Sequence, residues 1–396
     1  VVINGSALYV QNRGTTVRDL AYNLNENGYI GNELSVYAAH MFTGKTIVSW
    51  AYQQIPHSIV WCVLDDGSVV ALTYIREHQI WAWHRHDFAS GFVEEVIALP
   101  EGTEDAVYFI IKRTINGVDK RFVERMASRV VTNMKDAIFT DATSSYDGRN
   151  LLTSHTMTLT GGTAWTSDEN LTLTSSASFF ASTDVGNAIF LYEASGAELR
   201  CVIAAYTSPT VVTVNAHKTV PVALRSVATA SWSKAVDQLS GLWHLEGKSV
   251  SILADGYALA NPNNSAYAVQ TVAAGALTLD RPYAVIRVGL PITADLETLR
   301  VDKQDVSITT KYKNITGVSV MVESTRGLWA GNDATHLTEF KIPRYASVET
   351  PIPMFTGIER LNIPSSWSAD GYVFLRQSDP LPATVLAITL SGYIPS

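Results

Sequence analysis

The chain has 396 residues, 46% of them hydrophobic and 17% charged, with a formal net charge of −8. That length exceeds what one hydrophobic core usually serves, so two or three domains are expected. The acidic balance argues against a general nucleic-acid binder, which needs a basic face against phosphate, and does not exclude a passage for DNA whose wall does not grip.

Short β-strands joined by tight turns dominate from the start. Residues 19–25 and 291–301 are the two stretches whose composition predicts short helices. Residues 58–64 (Ser58-Ile59-Val60-Trp61-Cys62-Val63-Leu64) run into Asp65-Asp66-Gly67-Ser68 and then into the apolar run 69–74. Asp-Gly between β-rich runs predicts a hairpin, because the tight turn needs positive φ and glycine supplies it. Strands are predicted at 80–84, 92–98, 107–115 and 120–125, the last two joined by Asn116-Gly117. The spacing between the Asp-Gly and Asn-Gly turns matches about one four-stranded propeller blade. From Thr140 to about Ser233 the texture changes to Thr, Ser and Ala with little charge. The alternation in Met157-Thr158-Leu159-Thr160 and Leu171-Thr172-Leu173-Thr174 predicts half-buried strands of a small sandwich or barrel. Further strands follow at 250–254, before the turn Asp255-Gly256, and at 275–280 and 284–291. A last β segment runs from about Lys311 to the end. The expected fold is therefore all-β: a propeller-like core of antiparallel blades over 1–139, an inserted Thr/Ser-rich β-domain over 140–235, and a return to β core over 236–396.

Cys62 and Cys201 are far apart and lie in apolar runs, which predicts buried thiols rather than a disulfide or a metal knuckle. No run approaches about 18 apolar residues, so no membrane-spanning helix is predicted. The opening Val1-Val2-Ile3-Asn4-Gly5 lacks the basic start and apolar core of a signal peptide. It also lacks an initiator Met, as expected of a piece of a longer chain.

The densest titratable cluster is His84-Arg85-His86, with His78 and Asp87 nearby. On a strand His84 and His86 share a face, with Trp81 and Trp83 on the other, but a metal needs a third ligand that the sequence does not fix. A packed strand with hydrogen-bonded imidazoles is the expectation. Gly44-Lys45-Thr46 resembles the end of a phosphate loop, but the glycine required five residues earlier is Ala39. No nucleophile elbow is present, and neither cysteine sits beside a base. The pairs Asp65-Asp66, Glu94-Glu95 and Glu104-Asp105 are neighbours in sequence, which on a strand sends them to opposite faces. Ser368-Ala369-Asp370-Gly371 has the wrong spacing for the aspartate box of propeller glycosidases. No catalytic, cofactor-binding or metal-binding residue is therefore assigned, and no enzyme activity is expected. The 9 Trp, 17 Tyr and 12 Phe are expected in cores and as subunit-interface anchors.

Several strings taken together resemble a known family. Gln54-Ile55-Pro56-His57-Ser58-Ile59-Val60-Trp61 continues through Asp65-Asp66-Gly67 to Ile80-Trp81-Ala82-Trp83-His84-Arg85-His86. Lys112-Arg113-Thr114-Ile115-Asn116-Gly117, Arg121-Phe122-Val123-Glu124-Arg125-Met126, Leu242-Trp243-His244-Leu245-Glu246-Gly247-Lys248, Val288-Gly289-Leu290-Pro291 and Asp379-Pro380-Leu381-Pro382 follow in order. The chain in this respect is similar to the tail nozzle, or tail tubular protein B, group of short-tailed bacteriophages and related prophage proteins. The resemblance implies a β-propeller with inserted β-domains, assembled as a homo-oligomeric ring, a hexamer, in the tail of a virion. It implies other tail proteins as partners (adaptor, fibres or spikes) and DNA passing through a channel without specific binding. It supplies no catalytic residues and no cofactor. On an acidic lumen, the tips Asp65-Asp66 and Glu104-Asp105 are the first places to look for channel charge. Two other readings are a receptor- or glycan-binding tail component using the Thr-rich domain, and a polysaccharide depolymerase.

Overall fold

The computed structural model describes residues 1–12, 14–167, 169–302, 308–340 and 353–394. The parts of the expected C-terminal β segment that fall on 341–352, 395 and 396 lie outside the described residues. Strands make up 55% and helix 6%, and the strands pair antiparallel in several sheets, so the all-β class holds; among the described residues no closed barrel is formed. The chain divides into two compact units, Val1–Val130 and Val131–Ser396.

In the first unit each sheet is a meander of strands consecutive in sequence. The first contains β1 (Val2–Ile3), β2 (Ser6–Val10), β3 (Val17–Asn23) and β4 (Gly28–Ile30). The second contains β5 (Ile47–Gln53), β6 (Ile59–Leu64), β7 (Val69–Ile75) and β8 (Ile80–His86). The third contains β9 (Gly91–Glu101), β10 (Glu104–Ile115) and β11 (Val118–Arg125). Asn116 and Gly117, at φ 49° and 76°, make the tight β10–β11 turn that their sequence predicts.

The middle sheet is covered on both faces. Val60, Cys62, Leu64, Val70, Leu72 and Tyr74 pack on Leu8, Val17 and Phe42 of the first sheet's side. Ile59, Trp61, Val63, Val69 and Ala71 pack on Val93, Val96, Val107, Phe109 and Ile111 of the third. Every residue of β6 is consequently buried, which is why its sequence is an unbroken apolar run rather than an alternation.

Two sequence expectations are corrected here. The Asp-Gly turn joins β6 to β7 and the Asn-Gly turn joins β10 to β11, so the strands between them do not form one blade but divide between two sheets. The chain changes layer after β8, where Phe88 drops into the core against Phe109 at 4.9 Å between centroids. Residues 19–25 do not start a helix; β3 covers most of them. Its burial alternates through Val17, Asp19 and Ala21, and the buried Asp19 carboxylate accepts from Tyr74 Oη at 3.0 Å and from Asn32 N at 2.7 Å. A period of two with a satisfied buried carboxylate outweighs the helix-compatible composition.

The second unit begins with β12 (Asp141–Asp147), β13 (Met157–Thr160), β14 (Asn170–Ser175), β15 (Ala188–Tyr192), β16 (Glu198–Ser208) and β17 (Val211–Ala216). It continues with β18 (Ala228–Thr229), β19 (Trp232–Leu239), β20 (Ser249–Ala254), β21 (Tyr257–Ala260), β22 (Gln270–Thr271), β23 (Leu277–Tyr283) and β24 (Val285–Leu290). The Thr-rich strands enter an eight-stranded sheet in the order β18-β13-β14-β17-β16-β15-β19-β23. Their Met, Leu and Val positions converge on one core with Phe180 and Trp232, while the intervening threonines face outward, half-buried. β12 belongs instead to a five-stranded sheet, β12-β24-β20-β21 with β22 paired to β20.

The remaining strands are β25 (Ala294–Glu297), β26 (Lys313–Thr325), β27 (Leu328–Gly331), β28 (Leu337–Glu339), β29 (Phe355–Ser368), β30 (Phe374–Gln377) and β31 (Thr384–Tyr393). The sheets β25-β30-β27-β28 and β29-β26-β31 enclose a core of Val318, Val320, Val322, Ala330, Val373 and Leu375. The second expected helix, 291–301, is a further correction. Its centre is β25, held in the sheet by pairing with β30 and by the Asp295–Arg376 ion pair at 2.7 Å. A buried polar knot closes the unit: the Asp379 carboxylate accepts from Asn261 and Asn264 at 3.0 and 2.8 Å.

Candidate functional site

His84 and His86 do share a face of β8, but their role is packing. His84 Nδ1 lies 2.7 Å from His86 Nε2, and its other nitrogen lies 3.2 Å from Thr73 Oγ1. The His86 ring packs, tilted by 60°, against Trp61 at 4.6 Å, over which the Arg129 guanidinium also sits at 5.7 Å. Burial, then His84 and Arg129, push His86 down to about 3, and burial and Arg129 also lower His84. The pair is neutral at physiological pH, joined donor to acceptor, and among the described residues no group of three His, Cys, Asp or Glu is placed to hold a metal ion. On the opposite face Trp83 donates to Leu34 O at 2.8 Å.

The abortive phosphate loop has a different use. Lys45 pairs with Asp66 at 2.7 Å and Thr46 Oγ1 donates to Asp65 at 2.7 Å, so this segment clamps the β6–β7 turn. Burial opposes ionisation of Asp66, but hydrogen bonds from Lys45 and Ser68 prevail and bring it to about 2. Glu94 pairs with Arg121 at 2.7 Å whereas Glu95 accepts from Ser49 at 3.2 Å, so different partners hold the two carboxylates. Asp105 accepts from the backbone of Gln54 and Ile55 at 2.7 and 3.1 Å, and Glu104 accepts from Ser128 at 3.0 Å. The two acidic tips sit at opposite ends of the stacked sheets: Gly67 O bonds Val93 near the start of β9, while Asp105 holds the loop leading into β6. Six residues of strand, about 20 Å, separate those levels. Ser368-Ala369-Asp370-Gly371 is a turn in which Ser368 Oγ accepts from Asp370 N at 3.1 Å and Asp370 pairs with Arg300 at 2.8 Å. Cys62 and Cys201 are fully buried, and burial raises both thiols, Cys201 to about 12.

The feature that sequence reading did not locate is an uncovered sheet face. Val107, Phe109 and Ile111 of β10 point into the core, which sends Tyr108, Ile110 and Lys112 outward. Across the third sheet Ile97, Tyr108 and Arg125 form one row, Glu95, Ile110 and Val123 the next, and Phe92, Lys112 and Arg121 a third. Val123 is 73% exposed and Ile97 50%. A shallow hollow of about 280 Å³ opens on this face, lined by Ile97, Leu99, Tyr108, Ile110 and Val123. Its rim is ionic, with Arg121–Glu94 at 2.7 Å and Arg125–Glu101 at 3.0 Å. The far end of the stack is also uncovered and is aromatic: Tyr9, Tyr22 and Tyr29 lie exposed on the first sheet, the last two in edge contact at 5.7 Å. An apolar centre inside a charged rim is the anatomy of a protein-binding surface, and strand alternation in β10 was the signal that could have found it.

The sequence matches no protein-family model and no curated protein.

Proposed function

We propose that this chain is a structural, ring-forming component of a bacteriophage tail, a nozzle or tail-tube protein, that forms part of the DNA ejection conduit and retains the packaged genome. The observation that carries the reading is the stack of three meander sheets that ends in an uncovered apolar face on one side and an uncovered tyrosine-rich face on the other. Two different sticky faces on one unit favour head-to-tail association, which closes into a ring when the rotation between copies allows. Successive meander sheets stacked face to face, here of four, four and three strands, are also how propeller blades pack, which supports the propeller-like core. The net charge of −8 suits a lumen that does not grip the phosphate backbone. The ordered strings that resemble the tail nozzle group supply the tail location, the hexamer and the adaptor and fibre partners.

Native mass spectrometry and negative-stain microscopy of the purified chain test this. A ring with a channel wide enough for duplex DNA is expected, and Val123→Asp together with Ile110→Asp should leave monomers that retain the β-sheet spectrum. A wild-type chain that stays monomeric at tens of micromolar, or rings unaffected by the double variant, would remove the basis of the proposal.

A further inference from the structure

A cleft of about 730 Å³ lies in the second unit, lined among others by Asn133, Lys135, Tyr192, Glu198, Thr229 and Ser231. That is the size of a pocket for a small organic ligand. The elements that shape it are well fixed. Tyr192 ends β15 and Glu198 begins β16, and the hairpin between them closes with Glu193 N on Ala197 O at 2.9 Å. Ser231 is anchored through its carbonyl, which accepts from Tyr192 N at 3.0 Å, and Arg149, Val285 and the hairpin residues Glu193, Ala194 and Gly196 complete the wall.

Apart from Glu193 on the hairpin, the charged groups around this cleft are tied to one another. Arg149 is gripped by Asp136 at 2.6 Å and Asp147 at 2.5 Å, and Arg200 pairs with the buried Glu198. The Asp255 carboxylate accepts from Ala284 N and Val285 N at 3.1 and 3.0 Å. Lys135 is only 16% exposed, and it faces two buried carboxylates at long range, 3.5 Å from Glu198 and 3.9 Å from Asp255. A direct ammonium–carboxylate hydrogen bond is about 2.7–2.9 Å long. The Lys135–Glu198 contact is thus a long hydrogen bond, and a donor and an acceptor side by side on the cleft wall suit a ligand oxygen that accepts from one and donates to the other. A hydroxyl does both at once; a phosphate or carboxylate only accepts, and would meet Glu193 and Glu198 as like charges. The hydroxyls of Thr229 and Ser231, the amide of Asn133 and the ring of Tyr192 add donors, acceptors and an apolar wall.

From this arrangement we propose that the Lys135–Glu198–Tyr192 cleft binds an uncharged, polyhydroxylated ligand, a neutral saccharide of a few rings. The site is independent of the ring-forming faces, so failure of either proposal leaves the other standing.

The test uses the full chain with neutral oligosaccharides of glucose, galactose, mannose and N-acetylglucosamine, and with glucuronate and inorganic phosphate as charged probes. Binding is read by saturation-transfer NMR and calorimetry. At least one neutral oligosaccharide should bind, and Ser231→Trp, which fills the cleft from an exposed position, should weaken it by about tenfold or more. Lys135→Met should do the same, and because that variant also removes an ionic tie, Ser231→Trp decides if it misfolds. Absence of binding by every neutral probe overturns the proposal. So does binding by the charged probes alone, or neutral binding that persists in Ser231→Trp.

Discussion

The histidine pair makes the first unit acid-sensitive by an amount that can be worked out. The His86 imidazole is held near 3 by burial, with His84 and Arg129 adding repulsion, while in the unfolded chain it titrates near the ordinary value of about 6.5. A folded-state pKa below the unfolded one means that the stabilisation is complete above about pH 6.5. It is lost progressively as pH falls towards about 3, because the unfolded state takes up a proton that the native state refuses. Each pH unit in that window is worth about 1.4 kcal/mol, so between pH 6.5 and 5 His86 alone removes about 2 kcal/mol. With a urea dependence of about 1–3 kcal/mol per molar, the midpoint should fall by about 1 M. The assay is urea denaturation followed by tryptophan fluorescence at pH 7.5 and 5.0, for the wild type and for His86→Phe. Phenylalanine keeps a ring against Trp61, which lies 4.6 Å from the imidazole, and removes the titration. A midpoint that drops equally in both proteins would refute the reasoning.

Three further outcomes are expected. Asp379→Ala should cost about 3 kcal/mol, because Asn261 and Asn264 lose a buried acceptor, and the loss should appear as faster hydrogen exchange around residues 261–267. Gly117→Ala should cost only about 1–2 kcal/mol of left-handed backbone strain, since nothing lies within 4 Å of the added carbon. Gly67→Ala adds to the same strain a collision with the Phe92 ring at 2.5 Å, and a calorimetric comparison should rank it well below Gly117→Ala. Neither Cys62 nor Cys201 should react with a thiol reagent in the native protein, and both should react in denaturant, because each is fully buried and its thiol is raised.

What could be read from sequence was local. Asn116-Gly117 and Asp255-Gly256 mark hairpins because positive φ is needed at adjacent positions, and Met157-Thr158-Leu159-Thr160 marks a one-sided strand because its burial alternates. The burial of both cysteines followed from the apolar runs around them. Sheet membership was not legible. The passage from β8 into the third sheet depends on where Phe88 finds its core, a contact among residues distant in sequence. Asp19 shows the same limit: its partner Tyr74 is 55 residues away, and without that partner an aspartate reads as a helix or turn residue. The cleft in the second unit assembles Lys135, Tyr192, Glu198 and Ser231 from separate strands and connections, with no motif spacing to announce them. Titratable clustering along the chain pointed instead to His84 and His86, whose proximity turned out to be a packing arrangement.

The double burial of β6 has a consequence for how this sequence can vary. An ordinary sheet strand offers solvent at every second position, where exchanges cost little. From Ile59 to Leu64 no such position exists, because one set of side chains fills the core shared with the first sheet and the other fills the core shared with the third. A substitution anywhere in this hexapeptide changes the volume of one of two cavities that share a wall, and repair in one layer does nothing for the other. Tolerated changes here must be nearly volume-conserving, whereas β11, with Val123 standing in solvent, can drift. Packing on both faces leaves this stretch little room to become something else.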